Sequence, residues 1–234
     1  MIVDVVRKDV KRLRLVVKTN GSVTCVAPYY CSEERIQSFI NDNEEWILKT
    51  TDKMQRKREK NPPLQYTTGE KHFLWGKPLT LLLKEERGRP SVTFGENEIV
   101  MYCSPDSTID ERKMILYSAY YLQFKPELQI MIEKWQHLMN VPPLDITIRL
   151  MRTEWGSCTP KKYRMTFNID LVRFPKECME YIVIHEFTHL NYPNHSQAFW
   201  TLCDRRLSEA CLPDSKTMKK RLAAGPNMLS QNGH

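Results

Sequence analysis

The sequence predicts an α+β protein: a β-rich N-terminal half with one helix, and a C-terminal half of helices and antiparallel sheet that carries a His-Glu-x-x-His helix. Three observations support this. Strand-type alternation with turn residues dominates residues 1–105, helical spacing dominates much of 106–234, and residues 175–190 form one largely apolar helix containing the motif. The 234 residues are 41 % apolar and 27 % charged, the ordinary mix of a folded chain with a real core.

The first segment reads as a hairpin. Leu13, Leu15 and Val17 alternate with polar or charged residues, Asn20-Gly21 is a two-residue turn, and Val23 to Ala27 continues until Pro28. Ser32-Glu33-Glu34 then caps a helix with apolar positions at Ile36, Phe39, Ile40, Trp46 and Ile47, irregular near Asn41 to Asn43. Asn61-Pro62-Pro63 stops it. Strands punctuated by Gly69, Gly76, Gly88 and Gly95 run from Tyr66 to Tyr102. Ser104-Pro105-Asp106 is the expected domain boundary, giving a β-rich domain at 1–105 and a second domain at 106–234. A helix from about Ile109 to Leu138, kinked at Pro126, opens the second. Strands are expected from Asp145 to Thr153 and from Tyr163 to Ile169.

Charge and cysteine usage bound the partners. The net charge of +7 is spread thinly, and Arg7, Lys8, Lys11, Arg12, Arg14 and Lys18 read as the solvated face of a strand before they read as a nucleic-acid surface. No apolar run reaches the ~20 residues of a membrane helix, and Asp4 and Asp9 interrupt the stretch a signal peptide would need. Seven cysteines without any Cys-x-x-Cys pair give neither a disulfide framework nor a Cys-rich zinc site. Reduced thiols in a cytoplasmic protein, with no membrane partner, are expected.

The chemistry concentrates at His185-Glu186-Phe187-Thr188-His189. Residues four apart lie ~40° apart around a helix, one turn above each other, so both imidazoles can converge on one ion. Glu186 projects beside that pair, where a water would lie. Around the helix Met179, Ile182, Val183, Ile184, Phe187 and Leu190 cover most of the circumference. Two histidines and a carboxylate in such surroundings need compensation, and a divalent cation supplies it. His195, six residues past His189, has the spacing of a third ligand, with Asn191, Pro193 and Asn194 reversing the chain and Asn194 or Ser196 capping a second helix. His195 is expected on that helix's first turn, with Phe199, Trp200, Cys203 and Leu207 on its buried side. Three ligands and an open position make a catalytic zinc site. One Zn2+ per chain is expected, with nickel, cobalt or manganese as the transition metals that could replace it. His72, His137 and His234 read as structural or exposed, and Cys158 as a structural thiol.

These residues, with Trp155-Gly156-Ser157-Cys158, Asn168 and Asn194-His195-Ser196, resemble the YgjP-like metal-dependent hydrolases, relatives of the SprT- and WLM-type zincin peptidases. The resemblance runs along nearly the whole chain and implies a zincin-like C-terminal half. It makes His185, His189 and His195 the metal ligands and Glu186 the general base, in agreement with the spacing. One departure is Glu154, where the family usually has Arg.

The expected function is a metallopeptidase acting on peptide through activated water. Substrate contacts are expected from Arg152, Trp155, Tyr163, Asn168 and Tyr192, and the strand Tyr163 to Ile169 is expected to offer an edge to an extended peptide. The resemblance also implies an alternative substrate, a nucleotide: nucleoside triphosphate (UTP) pyrophosphatases are assigned within the family. Arg149, Arg152, Lys161, Lys162 and Arg164 could hold its phosphates. A second alternative is a non-catalytic, metal-stabilised nucleic-acid-binding module, against which Glu186 argues because a structural site favours a fourth protein ligand.

Overall fold

The computed structural model describes residues 2–18, 20–60 and 62–226, excepting the side chains of residues 57, 58 and 60. The expectations for Asn61 and His234 lie outside the described residues. The chain forms two compact units, residues 1–64 and 65–234.

In the first unit β1 (Val3–Lys8), β2 (Arg14–Val17) and β3 (Val23–Pro28) form a sheet in the order β1-β3-β2. The expected hairpin is present: β2 and β3 are antiparallel with Leu15 opposite Cys25. Its turn uses Gly21 at φ +85° and Asn20 Oδ1, which accepts from the Ser22 N–H at 3.0 Å. β1 adds to β3 in parallel, a pairing that alternation in the sequence did not reveal. The expected single helix is two, α1 (Glu33–Asp42) and α2 (Glu44–Lys60), separated at Asn43. The Asn43 Nδ2–H donates to the Phe39 carbonyl at 2.8 Å, capping α1 and ending it. Val23, Cys25 and Ala27 pack with Ile36, Ile40 and Ile47 as the core. Arg7 is bound into this unit: its guanidinium donates to the carbonyls of Pro28, Tyr29 and Cys31 and to Glu33.

The second unit begins with β4 (Lys71–Leu74), β5 (Lys77–Glu85), β6 (Ser91–Phe94) and β7 (Glu98–Cys103), ordered β4-β5-β7-β6. A 31-residue helix, α3 (Ile109–Met139), follows, opened by a reciprocal capping box between Thr108 and Glu111. Leu116, Tyr120, Phe124, Leu128, Ile132 and Trp135 form its buried face, and the helix runs on through Pro126. Tyr120 donates to the Phe73 carbonyl at 2.9 Å, Phe94 stacks on Tyr120, and Trp75 stacks on Phe124. These contacts make β4–β7 part of the same unit as α3. The compact units therefore divide at Leu64/Gln65, and the polar segment Ser104–Asp106, expected as a boundary, is a turn within the second unit.

A second sheet is built from β8 (Asp145–Arg149), β9 (Gly156–Thr159) and β10 (Arg164–Asn168) in the order β8-β10-β9. It is mixed rather than wholly antiparallel: β8 runs parallel to β10, and β9 antiparallel. The strand expected from Asp145 to Thr153 ends at Arg149, and residues 150–155 form a loop that delivers β9 to the other side of β10. A 3-10 turn, Ile169–Arg173, leads to α4 (Lys176–Thr188), followed by α5 (Gln197–Glu209) and α6 (Ser215–Ala224). Lys134 and Trp135 of α3 both donate to Glu180 Oε1, fixing α4 on α3. Among the described residues no helix is long and apolar enough to cross a membrane, and all seven cysteines are free.

Candidate metal centre

The sequence of α4 leaves little surface for solvent, and the fold buries nine of its residues, Glu186 among them. Pro175 stands at the N-cap rather than at the first helical position, with extended ψ 146°. His185 lies in the last turn and His189 at the C-cap, their ring centroids 5.0 Å apart. The chain then reverses through exposed residues 191–194. Ser196 caps α5, its Oγ accepting from the Phe199 N–H at 3.3 Å. His195 therefore precedes the cap and lies just outside α5 instead of on its first turn.

The three imidazoles converge. His195 is 4.9 Å from His185 and 4.8 Å from His189 between ring centroids, and one nitrogen from each ring lies within 4.8 Å of the others. The Nε2 atoms of His185 and His195 are 3.0 Å apart. Burial first, then the neighbouring imidazoles and Lys219, push the His185 pKa down to about 3, and burial and His189 lower that of His195. Neutral rings offer lone pairs. His189 Nδ1 lies 3.2 Å from the Tyr192 carbonyl, which can only accept, so the proton sits on Nδ1 and Nε2 is left as a donor atom for a cation. His185 Nδ1 is buried without a partner among the described residues, while its Nε2 is the nitrogen that faces the His195 ring. The donor set fits a divalent transition metal. The buried Phe199 ring lies under all three histidines at 4.6–4.9 Å.

The turn that carries Tyr192 is held from below. Arg206 of α5, buried, donates to Thr188 Oγ1 at 3.1 Å and to Asn191 Oδ1 at 3.0 Å, while Thr188 donates to the Ile184 carbonyl at 2.7 Å.

Glu186 is 4 % exposed and makes no hydrogen bond or ion pair with a described residue. Burial, reinforced by Glu154, raises its pKa to about 8. β9 crosses directly over it at Gly156, the residue whose missing side chain permits the approach. Trp155 is seated edge-on against Phe174 at 4.9 Å.

The imidazoles open into a cleft of about 870 Å³ bounded by residues 154–158 and 160, by α4, by Trp200 of α5, and by Lys219, Leu222 and Ala223 of α6. Of the expected substrate residues, Trp155 lines this cleft; Arg152, Tyr163, Asn168 and Tyr192 do not. Asn168 is buried and fully used: its Nδ2 donates to the Met151 and Glu154 carbonyls, and its Oδ1 accepts from the Met151 and Asp170 N–H groups. It shapes the 151–155 loop. Tyr163 closes a 3-10 turn at φ 47°, exposed, and Tyr192 contributes its backbone carbonyl to His189. The edge expected along Tyr163–Ile169 is also displaced: β10 is paired on both sides, and the edges of the sheet belong to β8 and β9, of which β9 lines the cleft. Cys158 lines the cleft, and burial and Glu186 push its thiol up to about 12. Sequence reasoning missed α6 altogether, because a short helix of low apolar content gives no hint of which cleft it will wall.

The chain matches the model of the YgjP-like metallopeptidase domain over residues 11–224. Two solved structures are similar in part. The metallopeptidase zymogen abylysin of Pyrococcus abyssi is 21 % identical, covering 42 % of this chain and 92 % of its own, with a TM-score of 0.37. Jannalysin of Methanocaldococcus jannaschii, also a metallopeptidase zymogen, is 19 % identical, covering 42 % and 94 %, with a TM-score of 0.36. No curated protein matches. The family match spans most of the chain and includes every residue of the histidine cluster, so this protein belongs to the YgjP-like metallopeptidase-domain family.

Proposed function

We propose that the protein is a zinc-dependent peptidase in which His185, His189 and His195 hold the ion and Glu186 is the general base. The observation that carries this reading is the triad of converging imidazoles beside a buried, unpaired carboxyl at the floor of an open cleft. Zinc bound there supplies Lewis acidity, lowering the pKa of a water towards ~7 and polarising the scissile carbonyl.

The remaining work falls to the chain itself. The free edge of β9, whose Gly156, Ser157 and Cys158 line the cleft, can pair with an extended peptide and so orient the bond to be cut. Glu186 accepts the proton of the attacking water on its carboxylate and returns it to the leaving amine. Its proton affinity, raised by burial and by Glu154, suits both halves of that transfer. Trp155 and Trp200 give the cleft apolar walls against which side chains can lie.

The nucleotide reading finds less support. Arg149, Arg152, Lys161, Lys162 and Arg164 do not line the cleft, and Arg164 is paired with Asp145 at 2.6 Å. A triphosphate would meet Lys219 as its single lysine or arginine among the lining residues, together with Glu154. The test sets zinc-loaded protein against a peptide library and, in parallel, against nucleoside triphosphates. Peptide cleavage that falls by about 10²–10⁴-fold in Glu186→Gln, with metal retained, is the expected result. Pyrophosphate release without peptide cleavage, or undiminished turnover in Glu186→Gln, would overturn it.

A further inference from the structure

Two opposite charges, Glu154 and Lys219, line the cleft that holds Glu186 and the three histidines. Glu154 makes no ion pair with any described residue, although its backbone is fixed, its carbonyl accepting from Asn168 Nδ2 at 2.9 Å. Lys219 makes none either. Its Nζ lies 3.5 Å from the centroid of the Trp200 ring, which is itself stacked on His195 at 5.2 Å with an interplanar angle of 12°. The indole face holds the ammonium in place and leaves its three N–H donors without a carboxylate.

The two charges occupy different flanks. Glu154 adjoins Trp155 and Gly156, the stretch that crosses Glu186, whereas Lys219 stands over the tryptophan beside His195. Although opposite in sign and lining one cleft, they do not pair with each other. The intervening walls include Trp155, Ile182, Trp200 and Leu222, low-dielectric surface that focuses the field of each charge into the concavity.

We infer that the cleft reads substrate charge at two subsites, Glu154 taking a cationic side chain and Lys219 a carboxylate, so that the preferred substrate is an extended peptide carrying opposite charges on either side of the cleaved bond. This rests on the peptidase reading and narrows its substrate class. A neutral peptide leaves both charges unmatched, and a peptide of reversed polarity places like charges together at both ends. The carboxylate at Lys219 can come from an acidic side chain or from a free C-terminus.

The test uses matched peptides with a common core: Lys at one end and Glu at the other, the reversed arrangement, a neutral one, and versions with a free or amidated C-terminus replacing the Glu. Binding to zinc-loaded Glu186→Gln is followed by tryptophan fluorescence, and kcat/KM is measured on the unmodified protein. One polarity is expected to exceed the other by about tenfold or more in both measurements. Glu154→Lys should abolish the preference for the cation and keep that for the carboxylate, Lys219→Glu should do the converse, and the double exchange should invert the favoured polarity. Metal content and melting temperature check that each variant is folded. Equal binding of all peptides, or preferences unchanged in the variants, would overturn the inference. Polarity-dependent binding without any cleavage by the unmodified protein would uphold the two subsites and count against the peptidase reading instead.

Discussion

A β-carbon on Gly156 would lie 2.7 Å from Glu186 Oε1 and 2.9 Å from both Glu186 Cγ and Ile182 Cγ2. β9 thus passes the carboxyl with no room for a side chain between them. Gly156→Ala is expected to displace the Glu186 carboxylate, lower stability by about 1–3 kcal/mol through overpacking, and reduce peptide cleavage by more than that loss of folded protein explains. Metal content should stay at the unmodified level, because the three imidazoles are untouched. Thermal melting and kcat measured together check this; an alanine variant with unchanged kcat would show that the approach is not functional.

Arg206 reaches the site through Asn191 and Thr188. Its guanidinium fixes the start of the turn whose Tyr192 carbonyl sets the tautomer of His189. Arg206→Met keeps the side chain's bulk and removes its donors. Zinc affinity is expected to fall about 10- to 100-fold, as when a partner that orients a ligand is lost. A competitive chelator titration measures it, and an unaltered affinity would leave Arg206 a packing residue alone.

His72 gives a pH dependence separate from the metal site. It is buried in β4 with its ring 2.9 Å from Glu70 Oε2, and burial holds its pKa below the usual 6.5 despite the pull of that carboxylate. The folded state therefore binds fewer protons than the unfolded chain, and the stability contributed by His72 is present above about pH 6.5 and lost as pH falls towards the depressed folded value. His72→Gln removes this dependence. In metal-free protein the melting-temperature advantage of the unmodified chain over the variant should narrow between about pH 7.5 and about pH 5. A constant difference across that range would contradict the assignment.

The helix that carries His185 and His189 was legible because its apolar residues surround the chain at helical spacing, and His195 because six residues suffice for a reversal into a capped helix. The walls of the cleft were less so. Gly156–Thr159 is too short to show alternation, and its role depends on a loop that turns it onto β10, which in turn depends on Asn168. Asn168 reads in sequence as a polar position on a strand, yet the strand ends there, and the side chain spends three hydrogen bonds on the loop and one on the Asp170 N–H of the following 3-10 turn. Lys219 and Trp200 meet through the packing of α5 and α6, which no local pattern encodes. Ser104-Pro105-Asp106 read as the boundary because its polar turn residues separate strands from a long helix, whereas the aromatic contacts of Tyr120 and Trp75, made across 26 to 49 residues of sequence, join the two sides of that turn in one unit.

Titrating the metal-stripped protein with zinc and counting equivalents bound asks whether the three imidazoles hold one ion. One tight equivalent per chain is expected, retained in Glu186→Gln and lost from the tight class in His185→Ala, His189→Ala and His195→Ala alike. An unmodified protein that binds no zinc tightly, or a His195→Ala variant that binds it equally well, would show that these residues do not form a metal site.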